Sequence, residues 1–485
     1  MNWKTVSRNV GVALLVSALF MFISAFVSLA NDRDSAMSPL LVSGMITFFV
    51  GIFPCIFVGR TPRITLKEGY VIIVLSWMLS FVFGMLPYTL WGGPFSLENA
   101  WFESVSGFTT TGATILSNIE ALPAGLLFWR SSTHFIGGLG VVVFLLLIIP
   151  SSSPVRLRLT NMEISSLSKG NYSTRANQTV YIFAYVYLGI GITAFLVYLL
   201  CGMSVFDAAN HAMSVCSTGG FSTKNESIAG FNSPLIEAVT LVFMLIGSLH
   251  FGLLYLSVVT GSIKPLRQPV IRFYLSALLL VTVGTGLALK FTGRGMPFGK
   301  AMWYSAFQTV STASTTGFAI ADNSHWPMLP NLLLLCIAVM CGCAGSTTGG
   351  IKSDRVLVLL EAVKVQIRRF LHPSSVCEVK LGNRFLRDDE VSSQMLYIAL
   401  YALVLMVSAL GVILLGMKSD SGFAATLCSI GNVGPSIGDL GTFGNYSSIP
   451  ESAKMILTLD MFLGRVEIYP VISVFAMIFN PSARK

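Results

Sequence analysis

Apolar residues form long runs along this chain, and shorter polar segments separate them. Most runs cover roughly 20 residues, the length of helix that crosses a bilayer core of about 30 Å. We predict ten membrane-spanning helices, at residues 10–30, 40–58, 70–91, 123–149, 179–201, 234–260, 271–291, 331–360, 392–416 and 455–479. The chain is therefore expected to be an all-α polytopic membrane protein.

The composition agrees with this expectation. Of the 485 residues, 54% are hydrophobic and 11% are charged, whereas soluble domains carry about 25% charged residues. The eight cysteines include no CxxC pair and lie mostly inside apolar runs, so they indicate neither a disulfide framework nor a metal site. The first apolar run follows Lys4 and Arg8 as a signal peptide would, but it has no small-residue cleavage site, and we retain it as the first helix.

The distribution of basic residues predicts the orientation. With the N-terminus inside, the cytoplasmic segments are 1–9, 59–69, 150–178, 261–272, 352–390 and the last residues, and they hold 22 of the 31 lysines and arginines. Such an excess on every second loop follows the positive-inside rule and places both termini in the cytoplasm. The net charge of +9 therefore indicates orientation and not binding to nucleic acid.

Four short segments of one design lie between paired spans on the predicted outer side. Each has helical spacing over about a dozen residues, then hydroxyl or small residues, then a glycine. We number every copy from this glycine as position 0, which is Gly112, Gly220, Gly317 and Gly434. Position −2 then holds Thr110, Thr218, Thr315 and Asn432, and position −6 holds Ser106, Ser214, Ser311 and Cys428. An ordinary external turn needs no helical approach, so we predict four pore helices, each followed by a filter loop (positions −2 to 0).

The filter loops have the residue types that coordinate a hard cation. Irregular backbone is tolerated at membrane depth where it lines a water-filled cavity, and glycine permits the positive φ that orients successive carbonyls. Rings of carbonyl oxygens replace the hydration shell of K⁺ in selectivity filters. The predicted K⁺-binding residues are Thr110, Thr111, Gly112, Thr218, Gly219, Gly220, Thr315, Thr316, Gly317, Asn432, Val433 and Gly434.

At these residues the chain resembles the TrkH/TrkG/KtrB superfamily of potassium transporters, and it is most similar to the TrkH members. The resemblance covers nearly the whole chain, and residues 10–58 match the additional N-terminal helix pair of those members. The resemblance implies K⁺ uptake, with some permeability to Na⁺ or Rb⁺, through a four-repeat pore in the bacterial inner membrane. It also implies a homodimer and a cytoplasmic nucleotide-binding regulatory ring of the TrkA type, and no organic cofactor on this chain.

Two further matches concern gating. The run 331–360 is too long for one crossing and is interrupted by small residues at 342–350. The resemblance implies an intramembrane gating loop here, with Gly345, Ser346, Thr347, Thr348 and Gly349; the alternative is helix packing through small-residue faces.

The last span contains charged residues, which are costly in a membrane and usually face a cavity or a partner. Arg465 resembles the family's pore arginine, which blocks cations in the closed state. The alternative is a structural ion pair with Glu467 or Asp460. Glu103 and His211 fall at matching places on the first two pore helices, and either an ionic or a structural role is open to them.

These predictions divide the chain into six units. They are an N-terminal two-helix extension (1–66), pore repeat 1 (67–150), pore repeat 2 (151–262), pore repeat 3 with a broken second span (263–360), a cytoplasmic basic linker (361–390) and pore repeat 4 (391–485). The basic stretch 352–390 fits either a helix lying on anionic lipid or a docking surface for the regulatory ring.

Two other functions compete with the pore. An ion-coupled symporter, driven by H⁺ or Na⁺, usually has inverted repeats, whereas the four repeats here share one orientation. An enzyme is not indicated, because the chain lacks HExxH, GxSxG and Walker A motifs. Glycine at position 0 of the first loop favours K⁺ over Na⁺, since Na⁺-conducting relatives tend to have serine there. Asn432, Val433 and Pro435 make the fourth loop different, and we expect its quadrant to coordinate less strongly.

Overall fold

The computed structural model describes residues 1–59, 65–140, 176–292, 296–373, 377–382 and 384–479. Two N-terminal helices, α1 (Trp3–Ala30) and α2 (Met37–Phe57), pack against each other as an antiparallel pair. The remaining helices form four successive units, each with a first span, a short pore helix and a second span.

The helices are assigned to the four units as follows. The first unit contains α3 (Leu66–Gly84), α4 (Leu86–Trp91), α5 (Leu97–Phe108) and α6 (Ala124–Leu139). The second contains α7 (Ala176–Leu200), α8 (Val205–Cys216), α9 (Pro234–Gly247) and α10 (Phe251–Thr260). The third contains α11 (Pro269–Thr292), α12 (Phe298–Ala313), α13 (Met328–Met340) and α14 (Ser353–Leu371). The fourth contains α15 (Asp388–Leu414), α16 (Ser419–Ile430), α17 (Glu451–Val466) and α18 (Ile468–Phe479).

Short elements connect these helices. Among the described residues, three 3-10 turns lie at Ser227–Phe231, Lys264–Arg267 and Gly438–Leu440. A two-stranded antiparallel hairpin, β1 (Lys380–Leu381) and β2 (Arg384–Phe385), precedes α15. The all-α polytopic class with four pore-helix repeats and an N-terminal pair is confirmed. The unit boundaries stay a prediction, and the boundary at 150/151 lies outside the described residues.

The predicted spans differ from the helices in continuity. Six described helical segments are long and apolar enough to cross a bilayer without interruption. The run predicted as one span at 234–260 is two helices that meet at an angle of 103°, and the last predicted span is divided into α17 and α18 at Glu467, whose φ is +66°. The expected interruption of 331–360 is present, because α13 ends at Met340 and α14 begins at Ser353. Residues 141–149 of the fourth predicted span lie outside the described residues.

The four units close into a ring. Each pore helix packs against the second span of the preceding unit: α8 against α6, α12 against α9, α16 against α13, and α5 against α17. Two tryptophans link these pairs: Trp101 Nε1 donates to Thr458 Oγ1 (3.1 Å), and Trp303 Nε1 donates to Glu237 Oε2 (2.6 Å). Large apolar side chains such as Phe49 and Phe53 are exposed on α2, as expected for a surface that faces lipid tails.

Candidate cation-binding site

All four pore helices end in the same backbone motif. The N–H at position −1 donates to the carbonyl at position −6 (2.8 to 3.0 Å), and the N–H at position −2 donates to the carbonyl at position −5 (3.1 to 3.2 Å). This pair of bonds is the Schellman motif, in which the residue after the cap adopts positive φ. The C-termini of α5, α8, α12 and α16 therefore end at the filter loops, where the negative ends of the helix dipoles favour a cation.

Position −2 has positive φ in every repeat. The φ values are +55° at Thr110, +53° at Thr218, +54° at Thr315 and +54° at Asn432. Glycine or asparagine is usual at this place, and a β-branched residue there is strained by about 1–3 kcal/mol. The strain occurs three times at equivalent positions, which is typical of a functional site. The shared φ at these positions also fixes where the three threonine hydroxyls lie.

The position-0 glycines bring the four loops into one closed ring. Their φ values lie between +77° and +88°. A Cβ on each would lie within 2.6 Å of a carbonyl oxygen of the next loop: Gly112 against Gly219 O, Gly220 against Thr316 O, Gly317 against Val433 O and Gly434 against Thr111 O. Since no side chain fits in such a gap, glycine is required at all four places. Loop 1 thus contacts loop 2, loop 2 contacts loop 3, loop 3 contacts loop 4, and loop 4 contacts loop 1.

The ring opens on a cavity, which we call the outer cavity. All four position-0 glycines line it, together with Tyr446 and Arg130. Among the described residues, no group of three or more His, Cys, Asp or Glu side chains could hold a metal ion. A cation at the ring would therefore meet backbone and hydroxyl oxygens, which suit a monovalent ion that exchanges rapidly.

Position −9 of the pore helix braces the segment that follows each of the first three filter loops. Glu103 accepts from Thr114 Oγ1 (3.0 Å) and from the N–H of Ile115 (3.1 Å). His211 Nε2 lies 2.9 Å from Ser222 Oγ. Gln308 Nε2 donates to Ala321 O (3.0 Å). These contacts are structural, so the matching placement of Glu103 and His211 along the sequence reflects a shared brace.

Glu103 also forms a buried ion pair. Its Oε1 lies 2.8 Å from Arg130 Nε, and both side chains are at most 1% exposed. The Arg130 guanidinium stacks on the Phe221 ring at 4.0 Å, and the His134 ring stacks on the same phenylalanine at 4.0 Å. Repeats 1 and 2 are thereby joined immediately outside their filter loops. A Cβ at Gly219 would lie 2.2 Å from His134 Nδ1, which explains why position −1 of loop 2 is glycine.

Residues 341–352, between α13 and α14, form an intramembrane loop beneath the ring. Thr347 Oγ1 accepts from Thr218 Oγ1 (3.2 Å), and the N–H of Gly349 donates to Thr315 Oγ1 (3.3 Å). A Cβ at Gly349 would lie 2.6 Å from Asn432 Oδ1. The loop therefore contacts position −2 in three of the four repeats.

The predicted gate residues hold this loop together and to its surroundings. Gly345 O accepts from the N–H of Phe251 (2.9 Å), at the start of α10. Ser346 Oγ lies 2.7 Å from Thr348 Oγ1. On the other side of the loop, Asp354 Oδ2 accepts from the N–H of Ala344 (2.6 Å). The interruption is thus an ordered loop beneath the ring, so its small residues do more than allow two helices to pack.

Arg465 connects this loop to the first repeat. Its guanidinium donates to Thr347 O and, at 2.7 and 2.9 Å, to Gly137 O and Gly138 O at the end of α6. Of the two acids considered as its partners, Glu467 pairs with Arg355 at 3.0 Å. Asp460 accepts from Ser408 Oγ at 2.7 Å. The positive charge therefore lies where repeats 1, 3 and 4 meet beneath the ring.

A ring of glycine-centred loops carried on four re-entrant pore helices defines a class of membrane proteins that transport cations. The family model described as "TrkH: Cation transport protein" matches residues 44–284 and 293–484. The chain belongs to this family.

Named relatives match over nearly the full length. The Trk system potassium uptake protein TrkH of Vibrio parahaemolyticus is 33% identical over 480 residues, covering 97% of this chain and 98% of the relative. TrkH of Escherichia coli is 32% identical and covers 99% of both chains. The crystal structure of the potassium transporter TrkH from Vibrio parahaemolyticus superposes with a TM-score of 0.88 at 30% identity, covering 100% of each chain.

The sequence interpretation assigned no specific role to four supporting residues, although Arg130 and His134 were noted as lower-ranked ionisable residues of the fourth predicted span. Arg130 and His134 carried a weak signal, since both are polar residues in a predicted span. Tyr446 and Arg355 carried none, because an aromatic residue in an outer segment and a basic residue at a helix start are common. Their roles depend on contacts with residues distant along the chain, which a single sequence does not show.

Proposed function

We propose that this protein takes up K⁺ through a selective pore whose filter is the ring of four loops. The observation that carries the proposal is the closed ring, in which every position-0 glycine abuts a carbonyl oxygen of the next loop. Helix C-termini, threonine hydroxyls and backbone carbonyls supply partial negative charge without a fixed carboxylate. The relatives named above are potassium uptake proteins, which supports K⁺ as the permeant ion.

The intramembrane loop and Arg465 act as the gate. The loop lies under position −2 of repeats 2, 3 and 4, and Arg465 ties it to the end of α6. A guanidinium beneath the filter repels a cation that leaves it. Opening therefore requires the loop to move and the bonds from Arg465 to Thr347, Gly137 and Gly138 to break.

A cytoplasmic partner can move this loop through α14, which begins directly after it. Residues Lys364, Arg368 and Ile367 on this helix are exposed. Such a mixed basic and apolar surface fits docking of a nucleotide-binding regulatory ring of the TrkA type, and it also fits contact with anionic lipid. We place the protein in the bacterial inner membrane as a homodimer, with both termini cytoplasmic.

An ion-coupled symporter remains the second candidate, because three second spans are broken near the ring. They are α9–α10, α13–α14 and α17–α18. Broken helices form the substrate sites of secondary transporters. The two functions differ in driving force, since a pore needs only the electrochemical gradient of K⁺.

Flux through purified protein in KCl-loaded liposomes tests the proposal. Uptake of Rb⁺ tracer is followed without any H⁺ or Na⁺ gradient, with K⁺ and Na⁺ as competitors. We expect uptake, with K⁺ competing better than Na⁺. Uptake that requires an imposed H⁺ or Na⁺ gradient would overturn the pore and favour the symporter.

The gate is tested in the same vesicles with Arg465→Ala. We expect faster Rb⁺ uptake, because the charge beneath the filter and three bonds to the closed arrangement are lost. Arg272→Ala is the matched control, since this arginine is exposed at the start of α11 and belongs to neither the filter loops nor the intramembrane loop. Unchanged flux in Arg465→Ala, or an equal rise in Arg272→Ala, would contradict the gating role.

A further inference from the structure

The fourth repeat lacks two supports that occur in other repeats. Position −9 is Ala425, where repeats 1 to 3 have the bracing Glu103, His211 and Gln308. Position −6 is Cys428, where repeats 1 and 3 have a serine whose hydroxyl donates to the carbonyl at position +1 (2.6 Å in both). Yet loop 4 has the same backbone conformation as the others, with φ of +54° at Asn432 and +84° at Gly434. Contacts that the other repeats do not have hold it, among them bonds from Asn432 Nδ2 to Thr111 Oγ1 (3.0 Å) and to Met461 O (2.9 Å).

Tyr446 supplies a further contact, and it reaches the position-0 residue itself. Its hydroxyl donates to Gly434 O (2.9 Å) and its N–H donates to Thr114 O (2.8 Å). Its ring packs on Phe102 with centroids 5.4 Å apart, and the residue is 2% exposed. The residue therefore joins loop 4, through its hydroxyl, to the segment after loop 1, through its backbone N–H.

Gly434 is the one position-0 glycine, within the described part of the chain, whose carbonyl oxygen accepts a hydrogen bond. That bond fixes the direction of an oxygen at the ring and occupies one of its lone pairs. We propose that Tyr446 is a positioning residue that sets ion selectivity. It does so by holding the Gly434 carbonyl, and with it the fourth filter loop, in a fixed position. Without its hydroxyl the Gly434 carbonyl is free to follow a smaller ion, and the filter accepts Na⁺ more readily. This inference rests on the proposed function.

The test is Tyr446→Phe, which removes only the hydroxyl, assayed as the ratio of K⁺ to Na⁺ competition against Rb⁺ uptake in proteoliposomes. We expect the ratio to fall about fivefold, which corresponds to one net hydrogen bond of about 1 kcal/mol. Tyr198→Phe is the matched control, because it removes another buried tyrosine hydroxyl, bonded to Thr240 Oγ1 (3.0 Å) in repeat 2. The control should keep the wild-type ratio, although both variants lose some thermal stability.

A rescue separates positioning from general stability. Cys428→Ser in the Tyr446→Phe background restores the hydroxyl that repeats 1 and 3 have at position −6, and it should recover part of the ratio. If Tyr446→Phe incorporates poorly, protection against thermal unfolding by K⁺ and by Na⁺ in detergent gives the same comparison. An unchanged ratio or unchanged relative protection in Tyr446→Phe overturns the inference. Absence of Rb⁺ uptake by the wild-type protein instead overturns the proposed function, and this inference with it.

Discussion

Replacing Gly112 by serine tests whether the close approach between filter loops sets ion selectivity. A Cβ at this position would lie 2.1 Å from Gly219 O. Reaching even 3.0 Å requires the two atoms to separate by 0.9 Å (3.0 minus 2.1), whereas a binding site must hold its groups within about 0.5 Å. The serine therefore displaces an oxygen of the ring, or the loop that carries it, beyond the tolerance of a selective site.

Backbone strain is a second effect of the same substitution and needs its own control. Gly112 has φ of +79°, and any side chain there costs about 1–2 kcal/mol. Gly92, in an outer turn after α4, has φ of +80° and nothing within 4 Å of an added Cβ. Gly92→Ser thus also places a side chain at positive φ, without touching the ring. Both variants should lose stability from this backbone strain.

The assay is the competition of K⁺ and Na⁺ against Rb⁺ uptake in proteoliposomes. For Gly112→Ser we expect the K⁺ preference to fall at least tenfold, the equivalent of about 1.4 kcal/mol. This loss is within the range of a single hydrogen bond or dipole contact to a charged group. Gly92→Ser should keep the wild-type preference. The reasoning is refuted if Gly112→Ser keeps the wild-type K⁺ preference, or if Gly92→Ser loses as much of that preference as Gly112→Ser does.

Three other substitutions test the supports around the ring. Glu103→Gln leaves Arg130 buried without its counter-charge, and we expect about 3–5 kcal/mol less stability; a change below 1 kcal/mol in detergent melts would contradict the buried pair. In Gly219→Ala the new methyl group meets the imidazole of His134, and we expect lower stability and a lower K⁺ preference. Gly189→Ala, with open space around it in α7, should lower neither. Asp354→Asn weakens the bond that holds the intramembrane loop, so Rb⁺ flux without a partner should rise, and constant flux would argue against the loop as gate.

The fold could be predicted where local sequence determines it. Serine is a residue type that starts helices, and Ser96 and Ser204 each accept a hydrogen bond from the first turn of α5 and α8, respectively. The repeated glycines predicted four equivalent loops because only glycine fits where φ is positive and two backbones meet. At these positions the residues that determine the backbone conformation are local in sequence, so the pattern that predicts the structure also explains it.

The break between α9 and α10 could not be predicted, because backbone groups that stabilise it are distant along the chain. Between these helices there is no proline, and the run 234–260 is mostly apolar. Here Ser248 O accepts from the N–H of Cys343 (3.0 Å), and the N–H of Phe251 donates to Gly345 O (2.9 Å). His250 Nδ1 accepts from the N–H of Gly252 and caps the new helix (3.0 Å). Backbone groups that have no intrahelical partner at the break thus bond to the intramembrane loop, some 95 residues away along the chain.

Because one chain carries all four repeats, some features of the repeats must be the same and others can differ. The backbone of the ring is repeated, because a closed ring needs the same geometry at every join. The support behind each loop is not: a carboxylate, an imidazole and an amide brace the first three, and Tyr446 supports the fourth. Asn432 keeps the shared φ at a position where asparagine is well suited. Loop 4 therefore differs from the other loops mainly in the side chains that support it. For this reason the internal repeat predicts the backbone conformation of the filter better than its ion preference.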